Sequence, residues 1–217
     1  MNNSASFPEY SSPFDFLNFE WNAPKPHQDT DLLKQLSFIP GLQDILTLRQ
    51  VHALEHATIW VLEETKNTYV SPHHSINAQF DHESLSGLST EQGFYLYGDV
   101  NISHLRRAVT LAKHRLTTGD WDLAIHPRCG TNLSVSVLLT ASVAMGMSVM
   151  LPFRPVEQLI GLGLAATTVS EVAPELGAIA QRYITTSIPF NLSIENIILT
   201  KDDWGKEAHF VKVKWQG

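Results

Sequence analysis

The sequence predicts an α+β fold in which a small domain of helices and strands is interrupted by a transmembrane helical hairpin. Segments with apolar residues at helical spacing alternate with short segments of strand-like alternation. Between them lies a run without any charged residue, 133–151. A helix that spans a membrane needs about 20 predominantly apolar residues, so this run qualifies.

Composition and charge exclude several classes of protein. The chain has 217 residues, a formal net charge of -7 and a single cysteine. One thiol cannot form an intrachain disulfide, so a disulfide scaffold is excluded. An acidic chain with scattered basic residues is not typical of nucleic-acid binding, and no nucleic-acid partner is expected.

Four segments are expected along the chain. Residues 1–40 mix aromatic residues with Ser, Asn, Pro and Asp, which predicts a disordered N-terminal arm. Residues 41–131 are expected to form a soluble α+β part, residues 132–180 a membrane hairpin, and residues 181–217 a C-terminal β segment that joins the soluble part. The arm is either a docking segment for a protein partner or membrane surface, or a loosely packed tail.

The first long helix is expected to begin after Pro40-Gly41 and to run to about Glu64. Apolar residues recur along it at helical spacing: Ile45, Leu48, Ile59 and Leu62. Between Val51 and Leu62 the opposite face is also apolar, so this segment is expected to be buried nearly all round. Polar residues within it therefore need partners, because an unpaired buried polar group costs about 1–3 kcal/mol.

The remaining soluble elements are shorter. Residues 66–89 are polar and are expected to form a loop, and residues 103–117 predict an amphipathic helix with a basic face. That basic face is either solvated or in contact with anionic lipid headgroups. Four segments alternate like strands and are expected to form one small sheet: residues 93–98, 121–125, 193–199 and 209–215.

The hairpin is expected to have unequal arms. The second apolar stretch, 158–170, is too short to span a membrane alone, and extending it includes Glu171, Pro174 and Glu175. Small residues in both arms predict close packing: Ala144, Gly146, Gly161 and Ala165. The alternative is a hydrophobic hairpin buried inside a soluble protein.

The motif His52-Ala-Leu-Glu55-His56 places two imidazoles and a carboxylate on one face of the long helix. This His-x-x-Glu-His order is that of the inverted zincins, in which the histidines bind zinc and the glutamate is the general base. The sequence therefore predicts His52 and His56 as zinc ligands. It predicts Glu55 as the catalytic base or as a group that orients the ligands.

A second polar motif, His126-Pro-Arg-Cys129-Gly-Thr131-Asn132, directly precedes the uncharged run. Cys129 is predicted as the third zinc ligand, and His126 as the fourth ligand or a proton shuttle. Four protein ligands make a closed, structural site, whereas three leave a position open for catalysis. Thr131 or Asn132 is expected to cap the helix that follows.

Three alternatives to a zinc site remain open. The cluster can be a hydrogen-bonded structural group without metal. Cys129 can be a nucleophile, since a thiol just before a helix N-terminus has a lowered pKa. A His, Cys and Glu set can also hold iron or another transition metal.

Four motifs carry a resemblance to a known family: Leu48-Arg-Gln-Val-His-Ala-Leu-Glu-His-Ala-Thr-Ile59, Gly93-Phe-Tyr-Leu-Tyr-Gly98, Ala124-Ile-His-Pro-Arg-Cys-Gly-Thr-Asn-Leu133 and Gln181-Arg-Tyr-Ile-Thr-Thr186. Through them, the chain resembles a family of uncharacterised cyanobacterial membrane proteins defined only as a domain of unknown function. It is also similar to a second bacterial membrane family with a Glu-His pair and a later His-Pro-Arg-Cys-Gly-Thr. The resemblance implies a helical hairpin in a membrane and assigns no activity or site residue.

Two functions are therefore predicted. The first is a membrane-anchored zinc protein in contact with lipid, acting as a hydrolase of the inverted-zincin type. The alternative is a non-catalytic accessory or assembly protein whose polar cluster is structural and whose arm binds a protein partner. In both, the chain is an integral membrane protein with its soluble part and both termini in the cytosol.

Overall fold

A computed structural model describes residues 23–69, 85–150 and 155–216 of the chain. Within these residues the helices are α1 (Gln28–Gln35), α2 (Leu42–Tyr69), α3 (Ile102–Thr118), α4 (Gly130–Met150) and α5 (Pro155–Ala180). The strands are β1 (Ser86–Thr90), β2 (Gly93–Tyr97), β3 (Leu192–Lys201) and β4 (Glu207–Trp215). A 3-10 turn at Trp121–Ala124 and a π-helical turn at Gln181–Thr185 complete the secondary structure of these described residues. The predicted α+β class is confirmed, and helices dominate.

The long helix α2 is the centre of the soluble part. It begins directly after Gly41, as predicted, and extends five residues beyond the predicted end, to Tyr69. It packs against α3, the sheet and the 3-10 turn. Between Val51 and Leu62 the helix is apolar on several faces, and these faces are buried, as predicted.

The four strands form one antiparallel sheet in the order β1-β2-β4-β3. Three of the four predicted strands belong to it. The fourth prediction was wrong, because residues 121–124 form a 3-10 turn. There the N–H groups of Leu123 and Ile125 donate locally to the carbonyls of Asp120 and Asp122, which removes them from any ladder. The sheet gains β1 instead, from a segment predicted to be a loop.

The core lies between α2, α3 and the inner face of the sheet. Its largest fully buried apolar side chains come from all three elements: Leu54, Phe94, Leu96, Leu105, Leu116 and Leu192. Burial of each such side chain contributes about 1.5–3 kcal/mol before entropy is counted. The core therefore fixes the position of α2, and with it the polar residues on that helix.

The hairpin of α4 and α5 stands apart from this core. Both helices are long and apolar enough to cross a membrane by length and composition. They pack against each other, and no residue of Gly130–Val149 is buried. The hairpin is thus not a core element wrapped by the rest of the described chain, which was the alternative. α5 is continuous through Glu171, Pro174 and Glu175.

Contact within the hairpin follows a line of every fourth residue on α5: Gly161, Ala165, Val169, Ala173 and Gly177 are buried. The closest approach is at Gly177, where an added Cβ would overlap the Asn132 side chain. The predicted tight packing at Gly146 was wrong, since a Cβ added there would meet no atom within 4 Å. Gly146 lies on the exposed side of α4.

The N-terminal segment is more ordered than predicted from residue 23 onward. α1 occupies part of the expected disordered arm, and its Asp29 is buried. The Asp29 carboxylate accepts hydrogen bonds from Gln50 Nε2 at 2.6 Å and Ser187 Oγ at 3.0 Å, which attach α1 to α2 and to the segment after the π-helical turn. Residues 1–22 of the arm, and three histidines of the predicted 66–89 loop (His73, His74 and His82), lie outside the described residues.

Candidate metal centre

The polar residues of both motifs meet at the base of the hairpin. Helix α2 contributes His52, Glu55 and His56, and the segment between the 3-10 turn and α4 contributes His126 and Cys129. All five side chains line one cavity of about 650 Å³. The structure therefore brings together the residues that the two motifs predicted as one site.

Three of these residues form a compact set of ligand atoms. One such atom from each of His52, His56 and Cys129 lies within 4.8 Å of the other two. His52 Nε2 is 3.3 Å from Cys129 Sγ, and the two imidazole centroids are 4.3 Å apart. Tetrahedral zinc, with bonds of about 2.1 Å to nitrogen and about 2.3 Å to sulfur, separates such ligands by about 3.5 Å. The set fits a metal ion of this size.

Backbone carbonyls fix the tautomers of both imidazoles. His52 Nδ1 lies 3.0 Å from the carbonyl oxygen of Thr185, and His56 Nδ1 lies 2.7 Å from that of Ala124. A carbonyl oxygen only accepts, so each Nδ1 donates its proton to it. In the neutral rings both Nε2 atoms then carry a lone pair, which is the form that binds a metal.

Cys129 occupies the position directly before α4. Burial alone would raise the pKa of its thiol, but interaction with the nearby His56 imidazole and the hydrogen bonds from Thr131 outweigh this effect. The net effect is a pKa below the ordinary value. The Thr131 N–H donates to Sγ at 3.3 Å. Cys129 thus takes the capping role that was predicted for Thr131 or Asn132.

His126 lies beside this set but is not part of it. Its ring packs against Trp60, with centroids 5.1 Å apart, and against His56 at 5.6 Å. Its Nε2 is buried with no hydrogen-bond partner among the described residues. Burial, together with the charges of His56 and Arg128, lowers the pKa of His126 to about 4. The ring is therefore neutral at pH 7 and keeps an unused lone pair or N–H.

Glu55 is buried in the cavity wall and faces strand β1. The Ser89 hydroxyl donates to its carboxylate, and Gly87 lies so close that an added Cβ would overlap the carboxylate. Burial raises the pKa of Glu55, while the Ser89 hydrogen bond and the charge of His52 oppose this rise. Glu55 is outside the compact ligand set and joins α2 to the sheet.

A hydrogen-bonded clamp holds the segment that carries His126 and Cys129. Gln181 Oε1 accepts from the His126 N–H at 2.8 Å, and Gln181 Nε2 donates to Asn132 Oδ1 at 2.7 Å. Asn132 Nδ2 in turn donates to the carbonyl of Pro127 at 2.8 Å, and Trp60 Nε1 to that of Ile125 at 2.9 Å. Gln181 was not predicted as a site residue, because nothing in its local spacing points to this role.

Arg128 lies at the edge of the site. It forms an ion pair with Glu63 of α2, at a position more than half exposed. An exposed pair of this kind contributes about 0–1 kcal/mol. Through this ion pair, Arg128 connects α2 to the segment that carries His126 and Cys129 at the protein surface.

Comparison with known proteins places both motifs within a described family. Residues 47–197 match the family described as "Domain of unknown function (DUF6391)". The chain is 49% identical over 203 residues to an uncharacterised protein of the cyanobacterium Picosynechococcus sp., an alignment that covers 93% of this chain and 96% of the relative. No solved structure matches the chain.

Proposed function

The chain belongs to the DUF6391 family, and we propose that it is a membrane-anchored metalloprotein that holds one zinc ion between His52, His56 and Cys129. The observation that carries this proposal is the convergence of three ligand atoms within 4.8 Å. Two imidazoles and a thiolate are ligands that zinc prefers. Their partly buried position and the carbonyl partners of both Nδ1 atoms support a metal site over a chance surface cluster.

The hairpin supports attachment to a membrane. Large apolar side chains of both helices are more than half exposed, among them Leu138, Val149 and Leu159. Such exposure is unfavourable in water and favourable against acyl chains. Both ends of the hairpin join the same α+β part, so that part lies on one side of the bilayer. We assign this side to the cytosol, because it carries most of the Lys and Arg residues.

Three protein ligands leave one coordination position for a water molecule or substrate, so the site has the form of a catalytic zinc centre. A bound zinc ion supplies Lewis acidity and lowers the pKa of a coordinated water. Glu55 lines the same cavity and is the candidate general base for hydrolysis. His126, which is neutral and has an unpartnered Nε2, is the candidate proton shuttle or fourth ligand.

The hydrolase assignment is tested by Glu55→Gln, which keeps the shape of the side chain. We expect the variant to retain its zinc and to lose hydrolysis of peptide and acyl-ester probes by about 100-fold or more. Glu91→Gln, in the exposed turn after β1, is the matched control. Full activity in a zinc-loaded Glu55→Gln protein would exclude Glu55 as the base.

A structural role for the cluster is the second candidate. It is favoured by one observation: His52, His56 and Glu55 link α2 to the π-helical turn, the 3-10 turn and β1 respectively. The protein would then be an accessory factor in a membrane complex, with the N-terminal arm as docking segment. Deletion of residues 1–22 tests this, since it spares α1. Lost partner binding with an unchanged fold supports the accessory role, and unchanged partner binding opposes it.

A further inference from the structure

We propose that the cavity at the metal centre binds a membrane amphiphile, with its anionic headgroup on Arg49 and its acyl chain along the apolar mouth. This inference rests on the proposed membrane-anchored metal centre and names its substrate class. It follows from the charge of Arg49, from the apolar side chains of the cavity and from its place at the base of the hairpin.

Arg49 lies one helical turn before His52 on α2, and both side chains line the cavity. Its Nη2 donates to the carbonyl oxygens of Tyr183 at 3.1 Å and Thr186 at 3.0 Å. These bonds fix the guanidinium beside the π-helical turn. His52 Nδ1 bonds to the carbonyl of Thr185 in the same turn, so an anion bound by Arg49 would lie beside His52.

The charge of Arg49 is not matched by any carboxylate within the described part of the chain. Arg115, Arg128 and Arg182, by contrast, each form an ion pair with at least one carboxylate. Carbonyl oxygens satisfy N–H donors but do not neutralise a cation, and Nε of Arg49 is buried with no hydrogen-bond partner in the described residues. A guanidinium with spare donors and no counter-ion is suited to bind a carboxylate or phosphate.

The mouth of the same cavity is apolar. Ile45, Leu48 and Ile184 line it, with side chains 55%, 39% and 68% exposed. Further inside, Ile59 and Leu85 are buried in its wall. A small soluble anion would leave this surface in water, whereas an acyl chain would cover it and so remove it from water.

The cavity lies where such an amphiphile would be found in a membrane. Gly130 and Thr131 at the start of α4, and Ile184 and Thr185 at the end of the second span, all line it. In a bilayer, the ends of spanning helices lie where headgroups meet acyl chains. An amphiphile can therefore enter from the membrane with its headgroup already at the depth of Arg49.

Direct binding of two tritiated probes tests the proposal. Lauric acid and dodecanol share a chain and differ in charge, and both are measured by scintillation proximity on the full-length protein in detergent. The protein is treated with EDTA so that no metal can bind the carboxylate. We expect wild type to bind laurate about tenfold or more tighter than dodecanol, and acetate to compete only weakly with laurate.

Substitutions test which residues bind the headgroup and which bind the acyl chain. Arg49→Gln should weaken laurate binding about tenfold and change dodecanol binding by less than about twofold, while Arg49→Lys keeps most of the laurate affinity. Arg106→Gln, on the exposed face of α3, is the control. Ile184→Asn should weaken both probes, whereas Ile198→Asn on the outer face of the sheet should weaken neither.

If wild type binds laurate and dodecanol with equal affinity, the site does not recognise the anionic headgroup, and this result needs no variant. Competition by acetate as strong as that by unlabelled laurate would overturn the acyl-chain part. The zinc content of the same preparations, measured before EDTA treatment, tests the metal centre separately. If the protein contains zinc but does not bind laurate selectively, the lipid-binding inference is wrong and the metal centre is unaffected. If it binds laurate selectively but contains no zinc, the metal centre is wrong and the lipid-binding inference is unaffected.

Discussion

Nε2 of His52 lies 3.3 Å from Sγ of Cys129, although 77 positions separate the two residues. The contact requires that α2 and the start of α4 approach each other at one point. The carbonyl of Thr185 fixes the imidazole, and the N–H of Thr131 fixes the sulfur. The two ligand atoms are thus oriented by partners from the end of the hairpin and from α4 itself, so the site is pre-organised by the fold.

The first prediction concerns metal content. Untagged protein purified in detergent should contain about one zinc per chain, and His52→Ala, His56→Ala and Cys129→Ser should each retain less than about a tenth of it. Each change removes one of only three protein ligands. Elemental mass spectrometry measures the content, with circular dichroism to verify the fold.

His104→Ala is the matched control for metal content, because His104 is exposed on α3 and does not line the cavity. It should keep the zinc of the wild type. An equal loss in this variant would indicate adventitious binding to surface histidines. Zinc retained by all three ligand variants would exclude the site.

The second prediction uses the single cysteine as a reporter. Cys129 is only 9% exposed but lines the cavity, so iodoacetamide can reach it when no metal is bound. Zinc-loaded protein should be alkylated about tenfold or more slowly than EDTA-treated protein, because the coordinated sulfur is no longer a free nucleophile. Intact mass spectrometry follows the reaction, and the same rate in both forms would contradict ligation by Cys129.

Much of the fold could be predicted from periodicity, and its failures have local causes. α3 buries one regular stripe of apolar residues, α2 is apolar on several faces, and β3 and β4 show strand-like alternation in sequence, so these four elements could be predicted. β1 could not be predicted, because Ser86, Gly87, Ser89 and Thr90 show no apolar alternation. This strand is held by pairing with β2 and by the contact of Gly87 with Glu55, and both of these are tertiary.

The approach of the two motifs to each other could also be predicted in part. Helical spacing placed His52 and His56 on one face, and the chemistry of the second motif suggested Cys129 as their partner. The groups that orient them were not predictable: the carbonyls of Ala124 and Thr185 have no signature in side-chain chemistry. Gln181 likewise lies 55 positions from His126, and only the packing of the hairpin brings them together.

The third prediction tests the hairpin contact next to the site. In Gly177→Ala the new Cβ would overlap the Asn132 side chain and lie 3.2 Å from its Cα, so the Asn132 side chain or the helices must shift. We expect a loss of about 1–3 kcal/mol of stability, since overpacking is costly. In Gly163→Ala, on the same helix, the new Cβ meets no atom within 4 Å, and we expect no loss. Thermal unfolding in detergent compares the two, and equal effects would contradict the packing at Gly177.

The last prediction concerns pH and the turn between β3 and β4. The Asp202 carboxylate accepts the Tyr97 hydroxyl at 2.7 Å and the N–H groups of Trp204 and Lys206, each at 2.9 Å. Burial alone would raise the pKa of Asp202, but these donors and the charge of Lys206 outweigh it and keep the pKa below 3.8. A depressed pKa in the folded state means that Asp202 stabilises the fold above its unfolded pKa, and that this contribution is lost as pH falls through the folded pKa.

The pKa of Tyr97 is shifted in the opposite direction, upward. Burial, then the hydrogen bond and charge of Asp202, raise the pKa of Tyr97 from 10.0 to about 12. Its contribution is therefore complete below pH 10.0 and is lost as pH rises through about 12. The Tyr97–Asp202 pair should stabilise the sheet most strongly between these two limits.

Asp202→Asn should accordingly lower the unfolding temperature at pH 7, and the gap to wild type should narrow as pH falls below 3.8. Asp203→Asn, at the neighbouring exposed position, is the control and should leave the unfolding temperature nearly unchanged. Unfolding curves of the three proteins from neutral to acidic pH measure the gap. If the gap is the same at every pH, the carboxylate charge is not what stabilises this turn, because a loss of shape or packing alone would not depend on protonation.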